Sequence, residues 1–319
     1  MNVAVSSWVA ILALAACGGD PQPRLPWGIG VRTFDAVELG IGTPAAPIDL
    51  LAGVVDHPRL EIPTYDGSGQ AVHPDVMVDG ARLLMTMTPY PFADNRLENP
   101  SLLASSDGQT FEGLPGNPLV GPPPIDHNND PDLRRDPRTG EYELLYLETL
   151  RPERQNLVAL RSPDLVTWTR REAIVYQLDR DPFIVSPAAL EHAGVTWLFF
   201  VDLSTEPARI ARLTSPDGLS WDKSSATPIA IELGAVSPWH LDVFVVAHGF
   251  AMLISGFDEE FGKQSLYLAT SPDLVSWTFR PEPLLSHRDP TLGVETLYRS
   301  TGIVSGDRLV VWYSMTYAD

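Results

Sequence analysis

The chain has 319 residues, of which 44% are hydrophobic, and can therefore bury a large core in one or two domains. Its 41 acidic residues outnumber 22 basic ones and give a net charge of −19. This balance disfavours nucleic acid as a partner, because phosphate backbones are held by cationic patches.

The first predicted element is a short apolar run, WVAILALAAC, which ends at Cys17, the one cysteine of the chain. The run is too short to span a membrane as a mature helix, and small residues precede its end, as in an export signal. Its ending resembles a bacterial lipoprotein box, which predicts a signal peptide over 1–16, lipidation of Cys17 and a tether over 17–26. The protein would then be exported, and either lipid-anchored in the bacterial cell envelope or secreted. An ordinary signal peptide or a poorly ordered N-terminus is the alternative.

A seven-residue marker, Ser-x-Asp-x-x-[Ser/Thr]-[Trp/Phe], organises the rest of the chain. Its four copies are SSDGQTF at 105–111, SPDLVTW at 162–168, SPDGLSW at 215–221 and SPDLVSW at 271–277. A nearly constant spacing of this size indicates stacked or radial repeats. The Asp can accept hydrogen bonds from backbone N–H groups two residues on, and the aromatic ring can pack between neighbouring units. We predict that the marker is structural, because one active site does not need four copies.

Each marker follows two strand-like segments joined by a turn, and the turns contain glycine where positive φ is needed. In chain order the units begin with HPDVMVDGARLLMTM, DPDLRRDPRTGEYELLYLE, SPAALEHAGVTWLFFVD, HLDVFVVAHGFAMLISG and YRSTGIVSGDRLVVWYS. No amphipathic helix interrupts the series, so we predict an all-β, five-bladed β-propeller over 27–319. The last unit lacks outer strands, and we expect WGIGVRTFDAVELGIG near the N-terminus to supply them and close the ring.

Successive strands of an antiparallel blade run in opposite directions, and this alternation locates the functional face of the ring. The markers lie on one face of the ring, and the first residues of the inner strands lie on the other, around the channel mouth. Since residues i and i+2 of a strand point the same way, we expect both polar residues of each pair there to face the channel. The candidates at these strand starts are His73, Asp75, Asp130, His240, Asp242 and Arg299. Loops between second and third strands add Glu98 and Glu148, and Trp239 precedes His240.

Five-bladed propellers whose inner strands open with Asp-Pro resemble the glycoside hydrolase superfamily that includes families 43 and 32. The series HPDV, TPYP, ENPS, DPDL, PWHLDV and YRS is similar to a branch of uncharacterised bacterial and phage propeller proteins grouped with it, over roughly residues 70–317. The resemblance implies acid–base cleavage of a glycosidic bond by carboxylates of the first three blades. Asp130 matches the second-blade carboxylate. His73 and Ser186, however, stand where those relatives have Asp and Glu.

We therefore predict a glycosidase-like protein acting on carbohydrate. Its catalytic candidates are Asp130, Glu98 and Asp242, and its substrate-binding candidates are His73, Asp75, Glu148, Trp239, His240 and Arg299. The alternative is a carbohydrate-binding propeller without catalysis, in which Asp130 caps a buried turn, the histidines are core groups and Arg299 neutralises the carboxylates. We expect a monomer that needs no cofactor, meets the membrane only through its lipid anchor and binds no nucleic acid. The sequence leaves open whether an ion such as calcium binds in the central channel.

Overall fold

The structure, a computed structural model, describes residues 25–42, 48–258 and 262–317. The predicted signal peptide, Cys17 and all but the last two residues of the tether lie outside the described residues. Within them the chain is almost entirely β-strand, and the 3-10 helices are the single turns Asp49–Leu51, Pro91–Ala93, Asn95–Leu97 and Lys223–Ser225. No helix in this part of the chain is long and apolar enough to cross a membrane.

Blades 1 to 4 are four-stranded antiparallel sheets, each built from four consecutive strands. Blade 1 contains β2 (Ala71–Asp79), β3 (Arg82–Pro89), β4 (Ser101–Ser105) and β5 (Glu112–Gly113). Blade 2 contains β6 (His127–Arg135), β7 (Tyr142–Leu150), β8 (Arg154–Ser162) and β9 (Thr169–Gln177). Blade 3 contains β10 (Ile184–His192), β11 (Val195–Asp202), β12 (Arg209–Ser215) and β13 (Thr227–Pro228). Blade 4 contains β14 (Ser237–Val246), β15 (Gly249–Phe257), β16 (Gln264–Ser271) and β17 (Thr278–Leu285).

Blade 5 joins the two ends of the chain. Its inner strand β18 (Val294–Ser305) pairs with β19 (Arg308–Tyr317), which pairs on its other edge with β1 (Trp27–Asp35). The innermost strands contact one another in a closed circle, β2 to β6 to β10 to β14 to β18 and back to β2. The prediction of a five-bladed all-β propeller closed by the N-terminal stretch is therefore confirmed. That stretch supplies one outer strand of the blade.

The core consists of five apolar clusters, each between two neighbouring blades. Side chains alternate between the two faces of a strand, and both faces of a blade are covered by its neighbours. In β7, for example, Leu144 packs against blade 1 and Leu145 against blade 3. This two-sided burial explains why the second strand of each unit reads as a nearly continuous apolar run.

The marker has the structural role that the sequence predicted. In the second copy, Oδ1 of Asp164 accepts hydrogen bonds from the backbone N–H groups of Val166 and Thr167, at 2.9 and 2.8 Å, and from the Ser162 hydroxyl at 3.0 Å. The other three copies repeat this pattern. Their aromatic side chains, Trp277 among them, pack into the clusters between blades. The marker therefore braces the turn between the third and fourth strands.

Every inner strand contains a β-bulge close to its first residues, where the register to the second strand shifts. In blades 1 to 3 the bulge places His73, Asp130 and Ser186 at φ of 56°, 52° and 56°. Non-glycine residues rarely adopt this left-handed conformation, and it costs on the order of 1–3 kcal/mol per residue. A bulge adds one residue to one strand and re-aims the side chains around it. His73 and Asp130 thereby line the channel mouth.

Candidate functional site

A cavity of about 740 Å³ opens at the channel mouth, on the face opposite the markers. Its lining includes five of the residues predicted from sequence, namely His73, Glu98, Asp130, Trp239 and His240. The loop between β3 and β4 borders one side of the cavity, and the first residues of β10 border another. The cavity is large enough for a sugar unit together with a substituent.

His73, Asp130 and His240 form a tight cluster in this cavity, and each side chain is at most 2% exposed. Asp130 Oδ1 lies 3.4 Å from His73 Nε2 and 3.2 Å from His240 Nδ1. None of these three atoms has a hydrogen-bond partner among the described residues, so the short distances do not reflect aligned hydrogen bonds. One nitrogen or oxygen atom from each residue lies within 4.8 Å of the others, an arrangement that can hold a metal ion.

Neighbouring side chains orient the two imidazoles. His73 Nδ1 lies 3.0 Å from the Thr88 hydroxyl and 3.6 Å from Glu98 Oε2, which leaves His73 Nε2 facing Asp130. The Tyr298 ring packs edge-on against His240, with 4.2 Å between the ring centroids. A hydrogen bond at the second ring nitrogen, which His73 makes through Nδ1, is usual for a metal-binding histidine.

Burial and nearby charges leave His73, His240 and Asp130 in the protonation states in which they can bind a metal cation. Burial lowers the pKa of His73 and of His240, so both imidazoles are neutral near pH 7. Burial raises the pKa of Asp130, but the adjacent histidines and Arg299 outweigh it and hold that pKa below its usual range. Burial, together with the charge of Asp130, raises the pKa of Glu98 well above its usual value.

A second layer lies beneath the cavity and consists of the buried carboxylates of Asp75, Asp132 and Asp242. They link inner strands of adjacent blades, as when Asp132 Oδ2 accepts a hydrogen bond from the backbone N–H of Ala189 at 3.1 Å. Burial raises the pKa of Asp75 to about 7.

The two layers show that the expected common direction of residues i and i+2 does not hold at these strand starts. In blade 1 the bulge lies between the two members of the pair, so that His73 lines the cavity whereas Asp75 lies below it. Asp242, a catalytic candidate from sequence, is likewise in the lower layer and not among the cavity-lining residues.

Two further predicted residues lie away from the cavity surface. Arg299 is fully buried between the layers, with Nη1 3.5 Å from Asp130 Oδ1 and Nη2 3.8 Å from Asp132 Oδ1. Glu148 pairs with Arg170 at 2.9 Å and accepts a hydrogen bond from Asn156 at 2.7 Å, outside the cavity lining.

Several cavity residues were not predicted from the sequence. Tyr298 immediately precedes Arg299, so its strand position was a usable signal. His127, Asp126 and Arg151 form a chain of contacts at the rim, in which Arg151 Nη2 donates to Asp126 at 3.0 Å and Asp126 contacts His127. No sequence pattern connects Arg151 with the Asp126–His127 pair, since the residues come together only when β6 and β7 pair.

Comparison with known proteins adds one sequence relative and many structures. No protein-family model matches the chain. An A type blood N-acetyl-alpha-D-galactosamine deacetylase from Flavonifractor plautii is 30% identical over 115 residues, which cover 33% of this chain. The match spans 15% of the length of that deacetylase.

Solved glycoside hydrolases share the fold. A thermostable family-43 glycoside hydrolase superposes with a TM-score of 0.58 and 12% identity, over 78% of this chain and 90% of that one. A glycosyl hydrolase from Bacteroides ovatus superposes with a TM-score of 0.54 and 12% sequence identity, over 87% of this chain and 95% of that one. The catalytic domain of a family-62 α-L-arabinofuranosidase from Coprinopsis cinerea superposes with a TM-score of 0.55 and 11% sequence identity, over 93% of this chain and 100% of that domain. The five-bladed propeller of glycoside hydrolases is thus the fold of this chain.

Proposed function

We propose that this protein is a metal-dependent hydrolase that removes an acyl group from an amino sugar of a glycan. The observation that carries the proposal is the meeting of three buried donor atoms, from His73, Asp130 and His240, that make no aligned hydrogen bond to a described residue and converge in the cavity. Buried polar atoms nearly always have a partner, so three such atoms that converge on one point favour the binding of a cation there.

The distances fit a transition metal. Tetrahedral metal bonds of about 2.0–2.2 Å place adjacent ligand atoms about 3.3–3.6 Å apart, and the N···O distances of 3.2 and 3.4 Å in the cluster are close to this range. Two imidazoles and one carboxylate suit zinc or a similar first-row ion, whereas calcium takes six to eight oxygen ligands. Three protein ligands leave coordination positions for water and substrate, as in catalytic zinc sites. A bound ion would supply Lewis-acid polarisation of a carbonyl group.

The residues of the chain have separate tasks in this proposal. Asp130 is a ligand and not a base, because its depressed pKa leaves it little basicity. Glu98 lines the same cavity and contacts the ligand His73, so it is the candidate to take a proton from water and pass it to the leaving amine. Trp239 offers a ring face in the cavity for the sugar.

Two considerations favour an amide over a glycosidic bond. The sequence relative is named for removing an acetyl group from a sugar amine, whereas the likeness to glycoside hydrolases is one of fold. In addition, the carboxylate that matches theirs, Asp130, is paired with Arg299 at 3.5 Å and surrounded by imidazoles. Hydrolysis of a glycosidic bond by Asp130 and Glu98, and sugar binding without catalysis, are the competing functions.

The test combines metal analysis with activity. Purified protein should bind one equivalent of Zn²⁺, Mn²⁺ or Co²⁺ by calorimetry and release acetate from N-acetylglucosamine or N-acetylgalactosamine glycans. His240→Gln should lose both properties. His248→Gln, the same change at an exposed histidine of the marker face, should keep both. EDTA should abolish turnover and added metal should restore it.

Other results would decide for the competing functions. Cleavage of aryl glycosides that resists EDTA and is lost in Glu98→Gln would replace the proposal by a carboxylate glycosidase. Glycan binding without turnover in any metal would favour a binding module.

We also propose that the protein is exported and anchored through Cys17, on the strength of the sequence LAAC. The position of β1 supports a functional consequence, because Trp27 packs against Tyr90 and Tyr298 of the cavity, with ring centroids 5.5 and 5.0 Å apart. The first strand after the proposed anchor therefore begins beside the cavity. Incorporation of labelled palmitate that is lost in Cys17→Ser tests the anchor, and unlabelled wild-type protein would contradict it.

A further inference from the structure

Blade 3 differs from the other blades in what it presents to the channel mouth. At the equivalent strand position, blades 1, 2, 4 and 5 carry His73, Asp130, His240 and Arg299, and blade 3 carries Ser186. The Ser186 hydroxyl exchanges hydrogen bonds with the backbone of Leu241, donating to its carbonyl at 2.8 Å and accepting from its N–H at 2.9 Å. Blade 3 therefore adds no ionisable group at this position.

Around Ser186, blade 3 lines the cavity with an apolar wall of Phe183, Val185 and Leu203. The wall is rigidly supported: the backbone N–H of Leu203 donates to the Phe183 carbonyl at 3.0 Å, and all three side chains belong to the core cluster between blades 3 and 4. These aliphatic and aromatic side chains offer hydrocarbon contact and no hydrogen bond.

The apolar wall lines the same cavity as the proposed metal ligands. Blade 3 lies between blade 2, which supplies Asp130, and blade 4, which supplies His240. The backbone N–H of Ser186 donates to Asp130 Oδ2 at 3.1 Å, so Val185 is one residue away from the ligand. On another side the cavity is polar, with Asn95 and His127 3.3 Å apart. A carbonyl carbon at the metal would thus have hydrocarbon on one side and hydrogen-bonding groups on another.

We propose that the Phe183–Val185–Leu203 wall binds the hydrocarbon part of the acyl group, and that the preferred substrates carry acyl chains longer than acetyl. This inference rests on the proposed function. A methyl group would cover only part of the surface that the half-buried Phe183 and Leu203 side chains offer beside Val185. Each additional methylene buried on the wall gains about the transfer free energy of one CH₂, and should raise kcat/KM about fourfold.

The experiment uses the metal-loaded full chain and three soluble probes, namely the N-acetyl, N-butyryl and N-hexanoyl derivatives of glucosamine. We expect kcat/KM to rise about tenfold or more from acetyl to butyryl, since two methylenes are added. Leu203→Ala should reduce the hexanoyl-to-acetyl ratio severalfold, and Leu203→Met should restore most of it. The ratio is the readout because a general folding defect lowers both rates together.

Two results overturn the inference while the proposed function stands: rates that are flat or fall with chain length, or an unchanged ratio in Leu203→Ala. A protein that binds metal, hydrolyses none of the three probes and releases no acetate from N-acetylated glycans overturns both proposals.

Discussion

Substituting Asp130 by asparagine tests the electrostatic structure of the site without reference to any substrate. The Asp130 carboxylate and the Arg299 guanidinium are both 0% exposed and lie 3.5 Å apart. Removing one member of a buried ion pair typically costs about 3–5 kcal/mol. Arg299 retains the Pro187 carbonyl at 3.1 Å and Asp132 at 3.8 Å, so we expect Asp130→Asn to lose about 3 kcal/mol, the lower end of that range.

The assay is urea unfolding of metal-free protein in EDTA, followed by circular dichroism, with equal m-values required for a valid comparison. Asp179→Asn, the same change at an exposed position, serves as the control. Arg299→Met in the Asp130→Asn background removes the cation that was left unpaired. The double variant should therefore lose about 2 kcal/mol less than the sum of the single variants, as expected for contacting residues.

Two outcomes would refute this reasoning. A loss below about 1 kcal/mol in Asp130→Asn would mean that the buried charge is not compensated by Arg299. Additive effects in the double variant would mean that the two residues do not interact. In either case Arg299 would not contribute to the low pKa of Asp130, which would then depend on the adjacent histidines alone.

Three further predictions concern other parts of the molecule. Thr88→Val removes the hydroxyl at Nδ1 of His73 and should weaken metal binding about 10- to 100-fold by calorimetry, with unchanged affinity contradicting the proposed orientation. Burial raises the pKa of Asp136, but the adjacent arginines outweigh it and lower that pKa, so the native state binds fewer protons than the unfolded state. The stability of the protein should therefore fall as pH drops below about 4. The fall in urea midpoint between about pH 5 and about pH 2.5 should be smaller in Asp136→Asn. Asp164→Ala removes the marker hydrogen bonds and should lower the melting temperature, whereas Asp179→Ala should leave it unchanged; equal melting temperatures would argue against the bracing role.

Much of the fold was predictable from the sequence because the relevant forces are local and repeat in every blade. The marker Asp bonds backbone groups within three residues of itself, as Asp164 does with Val166 and Thr167, so its motif alone indicated the turn. The four markers, together with the five strand–turn–strand units, gave the number of blades. The strand parity of the repeats correctly indicated the face on which the cavity opens.

The site was only partly predictable, because its residues meet across blades and through bulges. His73, Asp130 and His240 come from three blades and cluster only when the ring closes. The bulges that separate His73 from Asp75 have no sequence signature that we recognised, and they reverse the expectation for a regular strand.

The sequence by itself determined the blade repeat, its turns and the candidate polar positions, since these depend on hydrogen bonds and alternation within a few residues. Only the tertiary structure decided which of those positions share a cavity. Backbone geometry and contacts with residues far away in the chain decide whether a side chain such as Asp242 faces a cavity or lies below it and links two strands.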